Sequence, residues 1–455
     1  MDEAHVAAQL RMMDEAHVWH HLSRRGGRPP LMVRGQGLRL WDAEGREYLD
    51  ASSGGVWCVN VGYGREEIAQ AVYDQLKAMA YFSPSGGNAP AAELARRLLG
   101  LTTGLARVYY ASSGSEATEK IIKILRLRSH LAGRPEKTTI IYRDRDYHGA
   151  TYGAMSVSGQ PERTAGFGPL LPGFRAVPHA LCYRCSFGLS FSECELECVK
   201  AVERLILEEG PDRVAGAIFE PVTAGGGVIV PPPGYFSELA ATLRKYETPL
   251  VVDEVVCGLG RTGVMFGHQQ FGLQPDAVTM AKGLASAYMP ISATAVSAAL
   301  YEDLEKADDR LGYFRDISTF GGSAAAAAAA LANLDVIDRE NLLDNVRRQG
   351  QRLLEGLENL RDRPGVGDVR GLGLLAGVEL VADKRTKTPL DEERVARVAG
   401  AMAEKGVLVG RTNRSLPGLN NVINLAPAYV ATESDIDEIL SALARTLDEL
   451  GAGRI

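Results

Sequence analysis

The stretch "TMAKGLASAYMPIS", Thr279–Ser292, sets one lysine, Lys282, among small and apolar residues, and no charged residue follows from Gly283 to Tyr301. A buried ammonium is costly unless it is paired or neutral. Two readings meet that cost. Lys282 can lie at the edge of a buried strand and reach water with its amine. Alternatively the amine is not an ammonium at rest, because it is bonded to a carbonyl group as a Schiff base.

Other residues of chemical use follow similar apolar runs. "PLVVDEVVCGLGRTG" closes its run with Asp253 and Glu254, and Asp253 lies 29 residues before Lys282. A carboxylate in that position needs a cationic or N–H partner. "RVYYA" is followed by Ser113, Gly114 and Ser115, a small turn that opens a helical pattern with Glu116 in its first turn. Such a terminus either carries an ordinary N-cap or holds a phosphate on its open N–H groups. "TTIIYRD" is followed by "RDYHGAT", where Tyr147 offers a ring either to cover a flat ligand or simply to pack, with His148 beside it. A lysine, a carboxylate, a ring and a helix N-terminus are together what pyridoxal phosphate requires. They supply an amine for its aldehyde, an acid for its pyridine nitrogen, a cover for its face and donors for its phosphate.

The elements that must position these residues are legible as strands: "RVYYAS", "TTIIYRD", "VAGAIFEPV", "PLVVDEVV", "DAVTMAK" and "ISATAVS". Their continuous apolar character points to strands covered on both faces, in a mostly parallel α/β sheet. Ligands of such sheets gather at the carboxyl ends of the strands, and Asp253 and Lys282 are expected on neighbouring strands. Leu38–Tyr63 reads as short strands with a turn at Glu44-Gly45, and Gly365–Val381 and Val422–Val430 as further strands in a helix-rich tail. A large domain is expected over 66–334 and a smaller α/β domain from 19–65 with 335–455. "MDEAHV" at 1–6 recurs at 13–18 with no further copies, so 1–18 is expected to be a disordered extension.

The ordered set "SGSEA", "YHG", "FEPV", "DEVVCGLGRTG", "MAKG" and "STFGG" resembles the class III aminotransferases, fold-type-I enzymes that include the ω-amino acid and amine:pyruvate transaminases. The likeness runs over about residues 20–445, and "GVWCVNVGYGR" and "FGHQQFGLQPD" are similar to the amine:pyruvate subgroup. The resemblance implies pyridoxal phosphate on Lys282, which also moves the proton of the reaction, with Asp253 on the pyridine N–H. It implies Tyr147 and Val255 on the two faces of the ring, with His148 beside them and Glu220 near the phenolic oxygen. Ser113, Gly114 and Ser115 are implied at the phosphate, with Thr319 supplied by a partner subunit, hence a homodimer, with a tetramer left open. Trp57 and Phe82 are implied as substrate-pocket residues. The chain departs from the family pattern in two places. Ser323 stands where the family often has histidine, and the arginine after the "GVLV" strand is shifted by one, so that Arg411 or Arg414 is the candidate for a substrate carboxylate. The implied reaction moves an amino group from a primary amine or ω-amino acid to pyruvate, an α-keto acid. The tail of this loop and the cysteine insertion also resemble taurine:pyruvate transaminases. Racemase, mutase or decarboxylase chemistry on the same cofactor is the remoter alternative.

Composition agrees with a large globular enzyme: 455 residues, 45% hydrophobic and 24% charged. A net charge of -7 and the lack of a basic run with interleaved aromatics argue against a nucleic-acid surface. Pro290 interrupts the longest uncharged run, and no basic segment precedes an apolar one at the N-terminus. The expectation is therefore a cytoplasmic protein with no membrane segment. Cys182, Cys185, Cys194 and Cys198 lie close in sequence, with reduced thiols or a four-thiolate zinc site as the two readings. No metal is expected in the reaction. A nucleotide-binding regulator is disfavoured, because no Walker lysine follows "SGSEA" and because Lys282 and Asp253 would have no role.

Overall fold

The computed structural model describes residues 3–22, 30–305 and 310–455. Its centre is a seven-stranded sheet built from Leu105–Ala111 (β1), Thr139–Arg143 (β2), Phe174–Val177 (β3), Val214–Phe219 (β4), Leu250–Asp253 (β5), Ala277–Met280 (β6) and Ser292–Ser297 (β7). The spatial order is β1-β7-β6-β5-β4-β2-β3. From β6 to β3 every neighbouring pair is parallel. β7 runs antiparallel to both β1 and β6. All of β4, β5 and β6 is buried, as strands covered by helices on both faces require. The six apolar runs read as strands are all strands; β3 is a seventh, too short and mixed to announce itself.

The N-terminal strands Met32–Gln36, Arg39–Asp42 and Glu47–Asp50 form an antiparallel ribbon, which Val407–Leu408 extends by parallel pairing with Leu49–Asp50. A second small sheet joins Val366–Gly371, Ala376–Asp383, Val422–Leu425 and Gly410–Arg411. One large apolar core runs through both regions, from Leu49 and Ile68 through Val278 and Leu353 to Ile439. Among the described residues no helix is long and apolar enough to cross a membrane.

The expected disordered extension is corrected over most of its length, since Glu3–His17 is an α-helix. The segment contains no Gly or Pro and has four Ala, two Glu and two Met, which favour helix. Arg11 anchors it by donating to Glu44 Oε1 at 2.8 Å. Met1 and Asp2, which open the repeat, lie outside the described residues.

Candidate active site

Five strands deliver the candidate residues to one end of the sheet. Ser113 follows β1, Tyr147 and His148 follow β2, Glu220 follows β4, Asp253 ends β5 and Lys282 follows β6. β5 and β6 are hydrogen-bonded neighbours, with Asp253 opposite Thr279, three residues before Lys282.

The two acids of "DEVV" separate cleanly. Glu254 is spent on structure, because it accepts the amides of Gly267 at 2.8 Å and His268 at 2.7 Å and pairs with the His268 ring at 2.8 Å. Asp253 Oδ1 accepts the amide of Val255 at 3.0 Å, and its Oδ2 lies 2.7 Å from Nδ1 of His148. Burial alone pushes the His148 imidazole down. The bond to Asp253 and the charges of Asp253, Asp146 and Glu220 overcome that, so its pKa lies above the ordinary 6.5. Glu220 accepts the amides of Tyr147 at 2.8 Å and Ala224 at 3.0 Å. Its carboxyl is pushed up to about 8, first by burial and then by repulsion from Asp146 and Asp253. Beneath these groups, fully buried Arg143 donates to Asp146 at 3.0 Å, to the Glu220 carbonyl at 2.7 Å and to Thr223 at 2.9 Å.

Lys282 opens a short 3₁₀ turn with a left-handed φ of 45°. Asn333 holds that turn by donating to the carbonyls of Gly283 at 2.9 Å and Leu284 at 3.1 Å. Among the described residues its amine has no hydrogen-bond or ion-pair partner, and it stands 5.1 Å from the centroid of the Trp57 ring. Trp57 is itself strained, with φ 62° at the end of the segment Ser53–Trp57. Asp50 fixes that segment by accepting from the amides of Ser52 at 2.9 Å and Gly54 at 2.6 Å, and fully buried Arg261 donates to Ser53 Oγ at 3.1 Å. Backbone strain that a scaffold holds this firmly is characteristic of functional sites.

The helix Gly114–Leu131 closes the site. Ser113 and Glu116 form a capping box, in which Glu116 accepts the amides of Ser112 at 2.7 Å and Ser113 at 3.0 Å. The amides of Gly114 and Ser115 are the helix's open donors. Ser115 Oγ accepts the amide of Ala150 at 3.0 Å, which ties this terminus to the Tyr147–Gly149 loop. A Cβ on Gly114 would stand 3.2 Å from the Val255 methyls and 3.6 Å from the Ala281 Cβ, so Gly114, Val255 and the residue before Lys282 form one shelf.

Two expected residues are not brought together with the rest in the single chain. Phe82 is 58% exposed and Thr319 is exposed, both open to solvent in the single chain. Arg411 is not on the loop but in the short strand Gly410–Arg411, paired with Ile423; Arg414 lies on the loop. Glu392 faces both, at 3.6 Å from Arg411 and 2.7 Å from Arg414. Sequence reasoning missed Arg163. Its guanidinium carbon stands 5.0 Å from the Tyr147 ring centroid, and it donates to Gln160 at 2.7 Å and to the Asn413 carbonyl at 3.3 Å. A solitary arginine after "SGQPE" carries no signal; only the approach of the Asn413 loop gives it a place. The four clustered cysteines are free thiols around one apolar cavity shared with Phe187 and Phe191. Among the described residues no His, Cys, Asp and Glu groups are arranged to hold a metal ion. Cys194 lies before the helix Glu197–Glu209 rather than on one face of it with Cys198, because Glu195 and Leu196 adopt left-handed backbone between them.

A lysine with no ion-pair partner among the described residues and a buried carboxylate bonded to histidine, carried by neighbouring parallel strands with an open helix N-terminus at the same end of the sheet, are the groups that a fold-type-I pyridoxal-phosphate enzyme needs. The chain belongs to the class-III aminotransferases, whose family model matches residues 23–447, and it is a pyridoxal-phosphate-dependent aminotransferase. It is 49% identical over 453 residues to the taurine–pyruvate aminotransferase of Rhodobacter capsulatus, covering 98% of each chain. A Bacillus anthracis aminotransferase structure superposes with a TM-score of 0.94 at 38% identity, over 99% of this chain and all of that one. The ω-transaminase of Pseudomonas jessenii in complex with PMP superposes with a TM-score of 0.92 at 32% identity, over 97% of this chain and 98% of that one.

Proposed function

We propose that this enzyme transfers the amino group of an ω-amino acid or related primary amine to pyruvate, with Lys282 as the reacting lysine, and that an ω-amino sulfonate such as taurine is a donor. The residues present fit the cofactor: an amine with no hydrogen-bond or ion-pair partner among the described residues, a buried carboxylate bonded to His148, open amides at Gly114 and Ser115, and the shelf of Gly114 and Val255. Bound pyridoxal phosphate supplies a carbonyl for the donor amine and an electron-accepting ring. Asp253 would face the pyridine nitrogen, and His148, whose Nδ1 lies 2.7 Å from Asp253 Oδ2, would hold that carboxylate in place. Tyr147 and Val255 would confine the ring, Glu220 holds the Tyr147 loop through its amide, and Gly114 and Ser115 would donate to the phosphate. Lys282 would accept and return the proton at its amine, and Trp57 bounds the space beside that amine. A transaminase takes donor and acceptor in turn through the same pocket.

Arg163 is the observation that carries an anionic donor. It is a half-buried cation at the Tyr147 ring with no acidic partner among the described residues, and the identity to a taurine–pyruvate enzyme supports the same reading. We further propose a homodimer in which Thr319 and Phe82 of each protomer complete the other's site. An apolar surface supports it, with Ile317 89% and Phe320 65% exposed and the Tyr81 and Phe320 rings 6.0 Å apart. The test is alanine formation from pyruvate with taurine, β-alanine and an apolar amine, with 2-oxoglutarate as the competing acceptor. Taurine and pyruvate are expected to be used; absence of turnover with taurine, or preference for 2-oxoglutarate, overturns the substrate reading.

A further inference from the structure

Behind the substrate wall lies a second group of cations with too little negative charge around it. Arg145, in left-handed backbone just after β2, is 3% exposed, and its guanidinium has no hydrogen-bond or ion-pair partner among the described residues, with Nε fully enclosed. Burial, followed by repulsion from Arg370 and Arg184 and against the opposing pull of Glu379 and Asp144, lowers its pKa to about 10. Arg184 and Arg370 share one buried acid: Arg184 Nε is bonded to Glu379, and Arg370 Nη1 lies 2.7 Å from its other oxygen. Asp368 adds a contact to Arg370 at 2.9 Å but is shared with Arg361 at 3.1 Å. Asp144, next in the chain, is exposed. Three further donors of the cluster are enclosed without acceptors, namely Arg184 Nη2, Arg370 Nη2 and the Tyr183 hydroxyl.

Buried donors in folded proteins nearly always have acceptors, and a buried cation without a counter-charge costs several kcal/mol. Water can satisfy N–H groups but leaves the charge uncompensated. Once Glu379 and Asp368 are assigned to Arg184 and Arg370, Arg145 is left facing only the exposed Asp144, with which it makes no ion pair among the described residues. We propose that the Arg145–Arg184–Arg370–Tyr183 cluster binds a single small monovalent anion of the chloride class. The site is separate from the substrate pocket but shares a wall with it. Arg370 Nε donates to the Gly227 carbonyl at 2.9 Å, and Gln160 Nε2 donates to the Arg145 carbonyl at 2.9 Å. Gly225, in the same turn, would place a Cβ 3.7 Å from Tyr147 and 4.0 Å from Trp57. An anion here braces the turn that backs both rings.

Two measurements on the holoenzyme test this. Crystals soaked in bromide and measured at its absorption edge should show an anomalous peak in contact with Arg145 and Arg184 or Arg370; ordered water or empty density there at saturating bromide overturns the site. In solution, sodium chloride should raise the thermal midpoint saturably, by on the order of 1–2 °C, over sodium gluconate at equal ionic strength. R145M should abolish that difference, and its persistence in R145M overturns the assignment. If R145M does not fold, the bromide measurement on the wild-type enzyme decides alone.

Discussion

The imidazole of His148 lies 2.7 Å from the Asp253 carboxylate, and both are buried at the ends of β2 and β5. Neither group tolerates burial singly, and each supplies what the other lacks. Asp253→Asn is expected to retain cofactor, because the Val255 amide, Gly114 and Tyr147 are untouched, but to lose about three orders of magnitude in turnover. That corresponds to about 4 kcal/mol, since a neutral amide cannot hold a proton on the pyridine nitrogen. Single-turnover rates with cofactor occupancy measured by absorbance check this; near-wild-type turnover rejects the role.

Among the described residues Lys282 has no partner for its amine other than the Trp57 ring, so the cofactor's covalent attachment is expected there and nowhere else. Borohydride reduction followed by peptide mapping should find the adduct on the peptide containing Lys282, and Lys282→Ala should leave the cofactor removable by dialysis. An adduct on another lysine defeats the assignment.

What the sequence disclosed here follows the physics of each residue. Five of the six strands announced themselves because both faces are largely buried, the half-buried β1 by its aromatic and β-branched residues, and Lys282 and Asp253 because charge beside apolar runs needs an explanation. Glu254 shows the limit. It has the same chemistry as its neighbour Asp253, and only the approach of Gly267 and His268 from elsewhere in the chain consumes it. Arg163 and Arg145 were silent for the same reason, since an arginine's meaning depends on which carboxylates fail to reach it. Helix Glu3–His17 was misjudged because a repeat was taken as a sign of disorder when its composition favoured helix.

The exposed patch of Tyr81, Phe82, Ile317 and Phe320 is expected to be covered by a second copy. Phe320→Asp places a charge in its middle and should convert the dimer to monomer in sedimentation, with loss of tight cofactor binding because Thr319 is withdrawn. A variant that stays dimeric, or a wild-type monomer with full activity, rules this out.

His179 predicts one part of the acid sensitivity. Burial, followed by repulsion from Arg145, Arg143 and Arg370, pushes its pKa down to about 3, against about 6.5 in the unfolded chain. The unfolded state therefore takes up a proton first as pH falls, so the contribution is complete above about 6.5 and is lost progressively toward 3, by at most about 1.4 kcal/mol per pH unit. His179→Asn keeps an acceptor for the Leu181 amide, which lies 3.2 Å from Nδ1. It should make the decline of stability between pH 6.5 and 5 shallower. An unchanged slope means that other groups dominate.

Donor and acceptor place their anions differently: a sulfonate two carbons from the amine in taurine, a carboxylate next to the carbonyl in pyruvate. Two kinds of arginine are available. Arg414 is held by Glu392 at 2.7 Å, while Arg411 lies at 3.6 Å from the same carboxylate and has its Nη1 enclosed without a hydrogen bond. Arg411 is thus the one free to change partners, and its strand pairing fixes the backbone from which its side chain swings. Arg163 has no acid to leave and stays at the Tyr147 ring. We expect Arg163→Gln to raise the KM for taurine at least about tenfold, a loss of about 1.4 kcal/mol or more, with a smaller effect on an uncharged amine. Arg411→Ala should raise the KM for pyruvate by a similar factor, and Arg414→Ala should change either by less than about threefold. If Arg411→Ala raises both KM values and Arg163→Gln neither, one cation serves both anions and Arg163 is only a wall. If Arg414→Ala produces the pyruvate defect, the ion pair with Glu392 breaks in the working enzyme and the two arginines exchange roles.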